Sequence, residues 1–478
     1  MPSDIATVIY VCGILVLFWL DREPEVRTSG ALWIPVMWLL INGSRPISQW
    51  LQLGAPITSA DQYMEGSPVD AAGFAILLAA GILVSARRWR QVWELMRSNA
   101  PVLLFFGYCA VSILWSDYPD ISLKRWVKGL GDLVMVIIVL TDIDPSAAMR
   151  RLLSRAGFIL LPLSVLLIKY YPALGRVYNG GDTIDSPWVP LWTGVTTTKN
   201  YLGMITLLFG LGAVWQVLEA LKHKEMEHRY RHLLAQSVLL ATALWLFSMA
   251  NSMTSQSCFL LASVLLVTSG LGVCIRNPWI VHLLVVGIVG VSCAVLLSSV
   301  GGGALEAMGR NPTLTGRTDI WKVVLSFSGS PLVGTGFESF WLGERMRKMW
   351  NIYAFHLNEA HNGYLEVYLN LGWAGIVFLG VVIATGYRNV FTALRNDPYI
   401  GGMRLAYFVM ILVYNLTESA FRLLTPVWFF FLLAAVNPVE ATSTEESGEL
   451  DSDLGEVRGE WVSHAGIAPN LAVLQENS

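Results

Sequence analysis

The chain has 478 residues, of which 54% are hydrophobic and only 14% charged, with a mean hydropathy of +0.53 and a formal charge of −3. Soluble proteins carry about a quarter of their residues as Asp, Glu, Lys or Arg, so a soluble globular domain and a basic nucleic-acid binder are both excluded. Apolar runs long enough to cross a bilayer recur along the chain. They are apolar all round rather than alternating, which selects helices over the strands of a closed barrel. The expected fold is all-α: a polytopic membrane protein of 12 or 13 helices with one long periplasmic loop of short helices.

In chain order the runs fall near 5–20, 31–43, 69–85, 101–115, 127–140, 156–171, 201–220, 233–249, 258–275, 278–298, 363–386, 403–418 and 423–437. The second and last are short, which leaves the count at 12 or 13. The first lacks a basic segment before it and is followed by Asp21 and Glu23, so no cleavable signal peptide is expected. Cys12, Cys109, Cys258, Cys274 and Cys293 lie in or beside apolar runs without metal spacing and read as small buried hydrophobes.

Lys and Arg collect in the connections at 86–98 (Arg87, Arg88, Arg90, Arg97), 150–155 (Arg150, Arg151, Arg155), 222–231 (Lys222, Lys224, Arg229, Arg231) and 388–404 (Arg388, Arg395, Arg404). With 13 crossings all four share one side, which is then cytoplasmic. The opposite side receives 44–68, 116–126, 172–200, 250–257, 299–362 and 419–422. Lys124, Arg125 and Lys128 fall there against the rule, which points either to an error in this topology or to a site for something anionic. Residues 1–437 form the membrane domain. Residues 438–478, rich in Ser, Thr, Glu and Gly, read as an acidic, disordered cytoplasmic tail.

The longest connection, about 299–362, mixes Trp, Phe and Ile with charges and suits short amphipathic helices. Thr315 or Thr318 is placed to cap a helix through Ile320, Val323, Val324 and Phe327. Gly334 and Gly336 bracket a turn after Pro331. His356, Glu359 and His361 raise zinc, but spacings of three and two do not share one helical face, and no metal is expected. Asp132 and Glu366 are ionisable groups inside apolar runs and are functional candidates on that ground; for Glu366, close to the outer surface, an ion pair that supports the loop is expected.

Several motifs resemble the O-antigen ligase and polymerase superfamily over about residues 100–435. They are Gly316-Arg317…Trp321, Pro331…Gly334-Thr335-Gly336, His361-Asn362 and Gly372-Trp373-Ala374-Gly375. Gly194…Lys199-Asn200-Tyr201-Leu202-Gly203 and Ser252-Met253-Thr254-Ser255 add to the likeness. Trp115-Ser116-Asp117-Tyr118-Pro119 resembles a turn of the exopolysaccharide-polymerase branch, and Arg317-x3-Trp321, where ligases often carry Leu, leans the same way. The resemblance implies a multi-pass protein of the bacterial inner membrane, acting on the periplasmic side without cofactor. It would be a metal-independent glycosyltransferase moving a polyprenyl-diphosphate-linked glycan onto an acceptor hydroxyl with inversion. A flippase and chain-length regulators would be its protein partners.

The residues fit that chemistry. Arg317 can grip phosphate through two parallel hydrogen bonds, with Lys199 as a second point charge. Arg125 and Lys124 are weaker cationic candidates. His361 is the candidate base, since its ordinary pKa lies near working pH, with Asn362 orienting the ring or an acceptor hydroxyl. Asn200, Trp321, Tyr364 and Glu418 complete the candidate substrate site, and Arg422 lies near Glu418 at another outer helix end. Competing readings are an O-antigen ligase acting on lipid A–core, a peptidoglycan-type glycosyltransferase, a non-enzymatic assembly partner, and a transporter of lipid-linked glycan. The last would place its polar residues near the midplane on broken helices.

Overall fold

A computed structural model describes residues 1–23, 28–53, 66–179, 189–223, 228–271, 274, 277–297, 313–353, 356–422 and 424–438. The acidic tail beyond Pro438 lies outside the described residues. Among the described residues the helices of ten or more residues are α1 (Ser3–Leu20), α2 (Trp33–Asn42), α3 (Pro68–Arg87), α4 (Trp89–Ser98), α5 (Ala100–Val111), α6 (Pro119–Leu140), α7 (Pro145–Tyr170) and α8 (Lys199–Lys222). They continue with α9 (Arg229–Ala250), α10 (Met253–Ser269), α11 (Pro278–Leu297), α12 (Thr313–Ser326), α13 (Gly343–Ile352), α14 (Gly363–Asn396), α15 (Pro398–Tyr414) and α16 (Pro426–Ala435).

Each of the apolar runs falls on one of these helices. Among the described residues, six are long and apolar enough to cross a membrane, and α4 with α5 makes a seventh if the bent pair is one span. The chain is an all-α, multi-pass membrane protein. Its caps are written in the sequence. Asp144, Thr198, Asn362, Asp397 and Thr425 each accept backbone N–H groups at the start of α7, α8, α14, α15 and α16.

Three local expectations change. The basic stretches 86–98 and 150–155 are helical rather than open connections: α4 occupies the first, and α7 begins at Pro145 because Asp144 caps it. Helix α6 begins at Pro119, so Lys124, Arg125 and Lys128 ride its first turns. Between α7 and α8 a small antiparallel hairpin pairs Arg176–Asn179 with Val189–Trp192, which apolar periodicity did not announce.

The core is built around α8, α15 and α16, whose side chains are buried on nearly all faces. Helices α1 and α3 instead present Ile5, Val8, Leu15, Ile76, Ile82 and Leu83 outward, as lipid contact allows where water would not. Close packing needs small residues. A Cβ on Gly203 would lie 2.8 Å from Ser252 Cβ, so α8 meets the start of α10 through glycine.

The long connection has its own apolar core of Ile320, Val324, Phe340, Trp341, Met349, Leu357 and Ala360 packed with Leu369 of α14. Short helices α12 and α13 are there as expected, but α12 starts at Thr313, so Thr315 and Thr318 fall within the helix rather than ahead of its first residue. The loop is stitched to α14 by backbone. Thr335 N and Gly336 N donate to Leu369 O and Asn370 O (3.2 and 2.8 Å), and Trp373 N and Ala374 N donate to Pro331 O and Leu332 O (2.9 and 3.0 Å). These bonds replace helical ones where α14 is interrupted at Gly372, whose φ is 63° and ψ −164°.

Candidate functional site

Motifs far apart in the chain meet at one end of this bundle. Trp115 Nε1 donates to Val333 O (3.1 Å), and Arg345 pairs with Asp117, so the turn before α6 holds the loop. Thr254 Oγ1 lies 3.3 Å from Thr417 Oγ1, which places the start of α10 beside the end of α15. The stretch 415–425 between α15 and α16 is fixed by Asn415. Its Oδ1 accepts from Ala420 N and Phe421 N. Asp132, buried in α6, accepts from Trp38 Nε1 and Leu424 N (2.8 and 3.0 Å), pinning the same stretch from the other side.

Together these elements enclose a pocket of about 400 Å³. Its cationic wall is Arg125, Lys128 and Arg422, and its acids are Glu338, Glu359 and Glu418. Asn200, Tyr201, Ser419 and Thr425 add neutral polar groups. Each guanidinium is held by protein acceptors. Arg125 Nη1 donates to Glu338 O (2.7 Å), while Arg422 reaches Asn358 O (3.2 Å) and lies 3.8 Å from Glu359 Oε2 and 4.0 Å from Glu338 Oε2.

Arg317 and His361 flank Glu418 without being part of the pocket wall. Arg317 Nη2 is 3.0 Å from Glu418 Oε1, and Nη1 donates to Thr417 O. His361, 23% exposed, has Nδ1 at 3.1 Å from Glu359 Oε1 and 3.8 Å from Glu418 Oε2, with neither aligned for a hydrogen bond. Burial lowers the affinity of this ring for a proton. The carboxylates of Glu418 and Glu359 outweigh burial, and the net result is a pKa above the ordinary imidazole value. His361 sits at φ 51°, a left-handed turn held on both flanks. Trp321 Nε1 donates to Ala360 O (2.8 Å), Glu366 Oε1 accepts from Ala360 N (2.6 Å), and Asn362 N donates to Ser419 Oγ (3.0 Å).

The other sequence candidates distribute around this centre. Asn200 and Arg125 line the pocket, and Lys199 opens α8 between lining residues Thr198 and Asn200. Lys124 is exposed on α6 and does not line it. Asn362 caps α14 and donates to Leu416 O (3.2 Å). Tyr364 is committed to packing: its hydroxyl donates to Leu412 O (3.0 Å) and its ring meets Phe421 edge-on. Glu366 supports the loop, but through hydrogen bonds from Ala360 N and Trp341 Nε1 rather than the expected ion pair. Tyr201, Tyr414 and Ser419 were not anticipated. Tyr201 follows the Lys199-Asn200 pair directly, and Ser419 follows Glu418, so adjacency to a polar motif was the available signal.

The trio His356, Glu359 and His361 does not assemble. His356 stacks on Trp350 with ring centroids 4.3 Å apart. Glu418 takes its place, and the donor atoms of Glu359, His361 and Glu418 all lie within 4.8 Å of one another. That spacing could hold a cation, but Arg317 and Arg422 already address the same two carboxylates. The pocket lining balances Arg125, Lys128 and Arg422 against Glu338, Glu359 and Glu418, and only Arg317 at its margin tips the group positive, which favours an anion there.

Fold and site define a class: a multi-pass helical membrane protein whose polar pocket lies beneath a helical loop at one end of the bundle. Within it, residues 238–380 match the family described as O-antigen ligase. Over 340 residues, 65% of this chain and 69% of the relative, the sequence is 25% identical to the exopolysaccharide production protein ExoQ of Rhizobium meliloti (strain 1021). The resemblance read from the motifs is borne out by both.

Proposed function

We propose that the protein is a polysaccharide polymerase of the inner membrane that uses a polyprenyl-diphosphate-linked glycan as donor on the periplasmic side. The observation that carries this reading is the pocket lined by Arg125, Lys128 and Arg422, next to a histidine flanked by two carboxylates. Arg125, Lys128 and Arg422 hold the diphosphate, with Lys199 and Arg317 at the margin. Guanidinium groups suit it because they pair with phosphate oxygens and keep their charge. His361, beside the carboxylates of Glu418 and Glu359, serves as the base.

In the reaction an acceptor hydroxyl oxygen attacks the anomeric carbon from the face opposite the diphosphate. The new glycosidic C–O bond forms as the C–O bond to phosphate breaks, inverting that centre. The hydroxyl proton passes to His361, and the polyprenyl diphosphate leaves with the bond electrons, its charge met by the arginines. The acidic partners of His361 stabilise the imidazolium that results.

Support comes from the family match across the loop and into α14, and from the exopolysaccharide role in the relative's name. The test is incubation of purified protein with a double-labelled lipid-diphosphate oligosaccharide. Lengthening of the glycan with release of lipid diphosphate is expected. The family description also favours a second reading, transfer of a finished glycan to a different acceptor. A single transfer that requires lipid A–core, with no lengthening, would establish that ligase instead. Movement across vesicles without covalent change would overturn both.

A further inference from the structure

The opposite end of the bundle carries a second polar feature that the glycan chemistry does not use. Helices α4 and α5 meet at a bend of 89°, so if α5 runs along the membrane normal, α4 lies in the plane of the surface. Asn99 makes the bend. It is 3% exposed, its Nδ2 donates to Leu95 O and Asn437 O, and its Oδ1 accepts from Asn389 Nδ2 and Asn437 N. The corner is thereby locked to α14 and to the end of α16.

Helix α4 is sided. Leu95 and Met96 are buried against the bundle, while Trp89 and Trp93, one turn apart, are 61% and 66% exposed. Arg90 and Arg97, two turns apart, are exposed on the neighbouring stripe. Beside the bend lies a cavity of about 230 Å³ whose lining includes Ser98, Thr385, Arg388, Asn389 and Thr392. Asn389 spends its Nδ2 on Asn99 and Ala435, and the Thr385 hydroxyl donates to Val381 O. Arg388 and Thr392, one turn apart on α14, have no protein partner among the described residues, and neither do Arg87, Arg90 and Arg97.

We propose that this cavity binds the phosphate headgroup of an anionic phospholipid, with Arg388 and Thr392 as its donors. Trp89 and Trp93 seat α4 at the depth where amphipathic rings settle. The unpaired arginines supply the opposite charge to an anionic leaflet. Apart from Glu94, helix α4 offers these arginines no acid, and Glu94 pairs with none of them. The site does not depend on the glycosyltransfer reading.

The test uses full-length protein extracted with its surrounding lipid into polymer-bounded nanodiscs, with retained phospholipid quantified by mass spectrometry. Wild type is expected to enrich phosphatidylglycerol over phosphatidylcholine. Arg388→Gln with Thr392→Val is expected to lower that enrichment by about fivefold, the scale of one headgroup–guanidinium contact. Enrichment equal to wild type in a folded Arg388→Gln/Thr392→Val protein overturns the site. Should that variant fail to fold, Arg90→Gln/Arg97→Gln changes only exposed positions on the same surface. A smaller loss of enrichment there supports the proposal, and none overturns it.

Discussion

Arg317 and Glu418 stand 101 residues apart in the chain and meet at 3.0 Å, joining the loop to the stretch between α15 and α16. Their side chains are 16% and 9% exposed, so solvent screens the contact only in part. The second arm of the guanidinium holds Thr417 O. An ammonium cannot span both acceptors with the same geometry. Arg317→Lys is expected to lose at least about tenfold in polymerisation rate and about 1.5–3 kcal/mol in stability, the range for hydrogen bonds to charged groups. In a cycle with Glu418→Gln the effects should be non-additive by more than about 0.5 kcal/mol. Additive losses, read by thermal unfolding in detergent, would show that the two side chains do not act together.

In the proposed mechanism the pH dependence falls to His361. Its folded pKa is raised above the ordinary value of about 6.5, and the base must be neutral to accept a proton. The acid limb of the rate profile should therefore lie above that ordinary value, and Glu359→Gln, which removes a neighbouring negative charge, should move it toward lower pH. For stability the sign is opposite. Interactions of protonated His361 contribute fully below the unfolded value and are lost as pH rises through the folded one. His361→Ala should cost at least about 10²-fold in rate, as expected for a lost general base. Polymerisation by His361→Ala at the wild-type rate would remove the ring from the chemistry.

The helices were legible because apolar runs report burial in lipid or protein directly, and Asp144, Thr198, Asn362 and Asp397 mark their own helix starts. The motifs at 316–321, 331–336, 361–362 and 372–375 also pointed to one place, and the backbone pairing of Pro331 and Leu332 with Trp373 and Ala374 joins two of them directly. What the sequence concealed was side-chain direction. Nothing local to Arg317 says that both its arms face residues 417 and 418, or that Tyr364 turns its hydroxyl to Leu412 O. Nor does the spacing of His356, Glu359 and His361 show that Glu418, from another helix end, replaces His356. Such pairings are long-range products of packing, and periodicity carries no record of them.

Glu366 shows how a buried carboxylate can serve the site at one remove. It is 1% exposed, and each oxygen has its own donor: Ala360 N at 2.6 Å and Trp341 Nε1 at 2.8 Å. Glutamine keeps the shape but offers only one oxygen, so one buried N–H is left facing an amide NH₂. Glu366→Gln is expected to destabilise by about 1–3 kcal/mol, the cost of an unsatisfied buried donor. Because Ala360 precedes His361, the rate should fall as well, with a shift in the pH profile. A stability loss with an unchanged profile would limit Glu366 to holding the loop.

Gly372 and Gly380 lie on the same helix and predict opposite outcomes. At Gly372 the backbone occupies φ 63° and ψ −164°, a region essentially reserved for glycine. A Cβ there would stand 2.4 Å from both Leu332 C and Leu332 O, in the seam where the loop bonds to α14. Relief would require parting Trp373 N and Ala374 N from Pro331 O and Leu332 O, and with them the platform that carries the loop. Gly372→Ala should therefore cost about 3 kcal/mol or more, combining backbone strain and overpacking, and should abolish polymerisation. A Cβ at Gly380 meets nothing within 4 Å. Gly380→Ala should be neutral or slightly stabilising, since alanine favours the helix by about 1 kcal/mol. Equal yields and melting temperatures for the two variants would show that the interruption of α14 does not hold the loop.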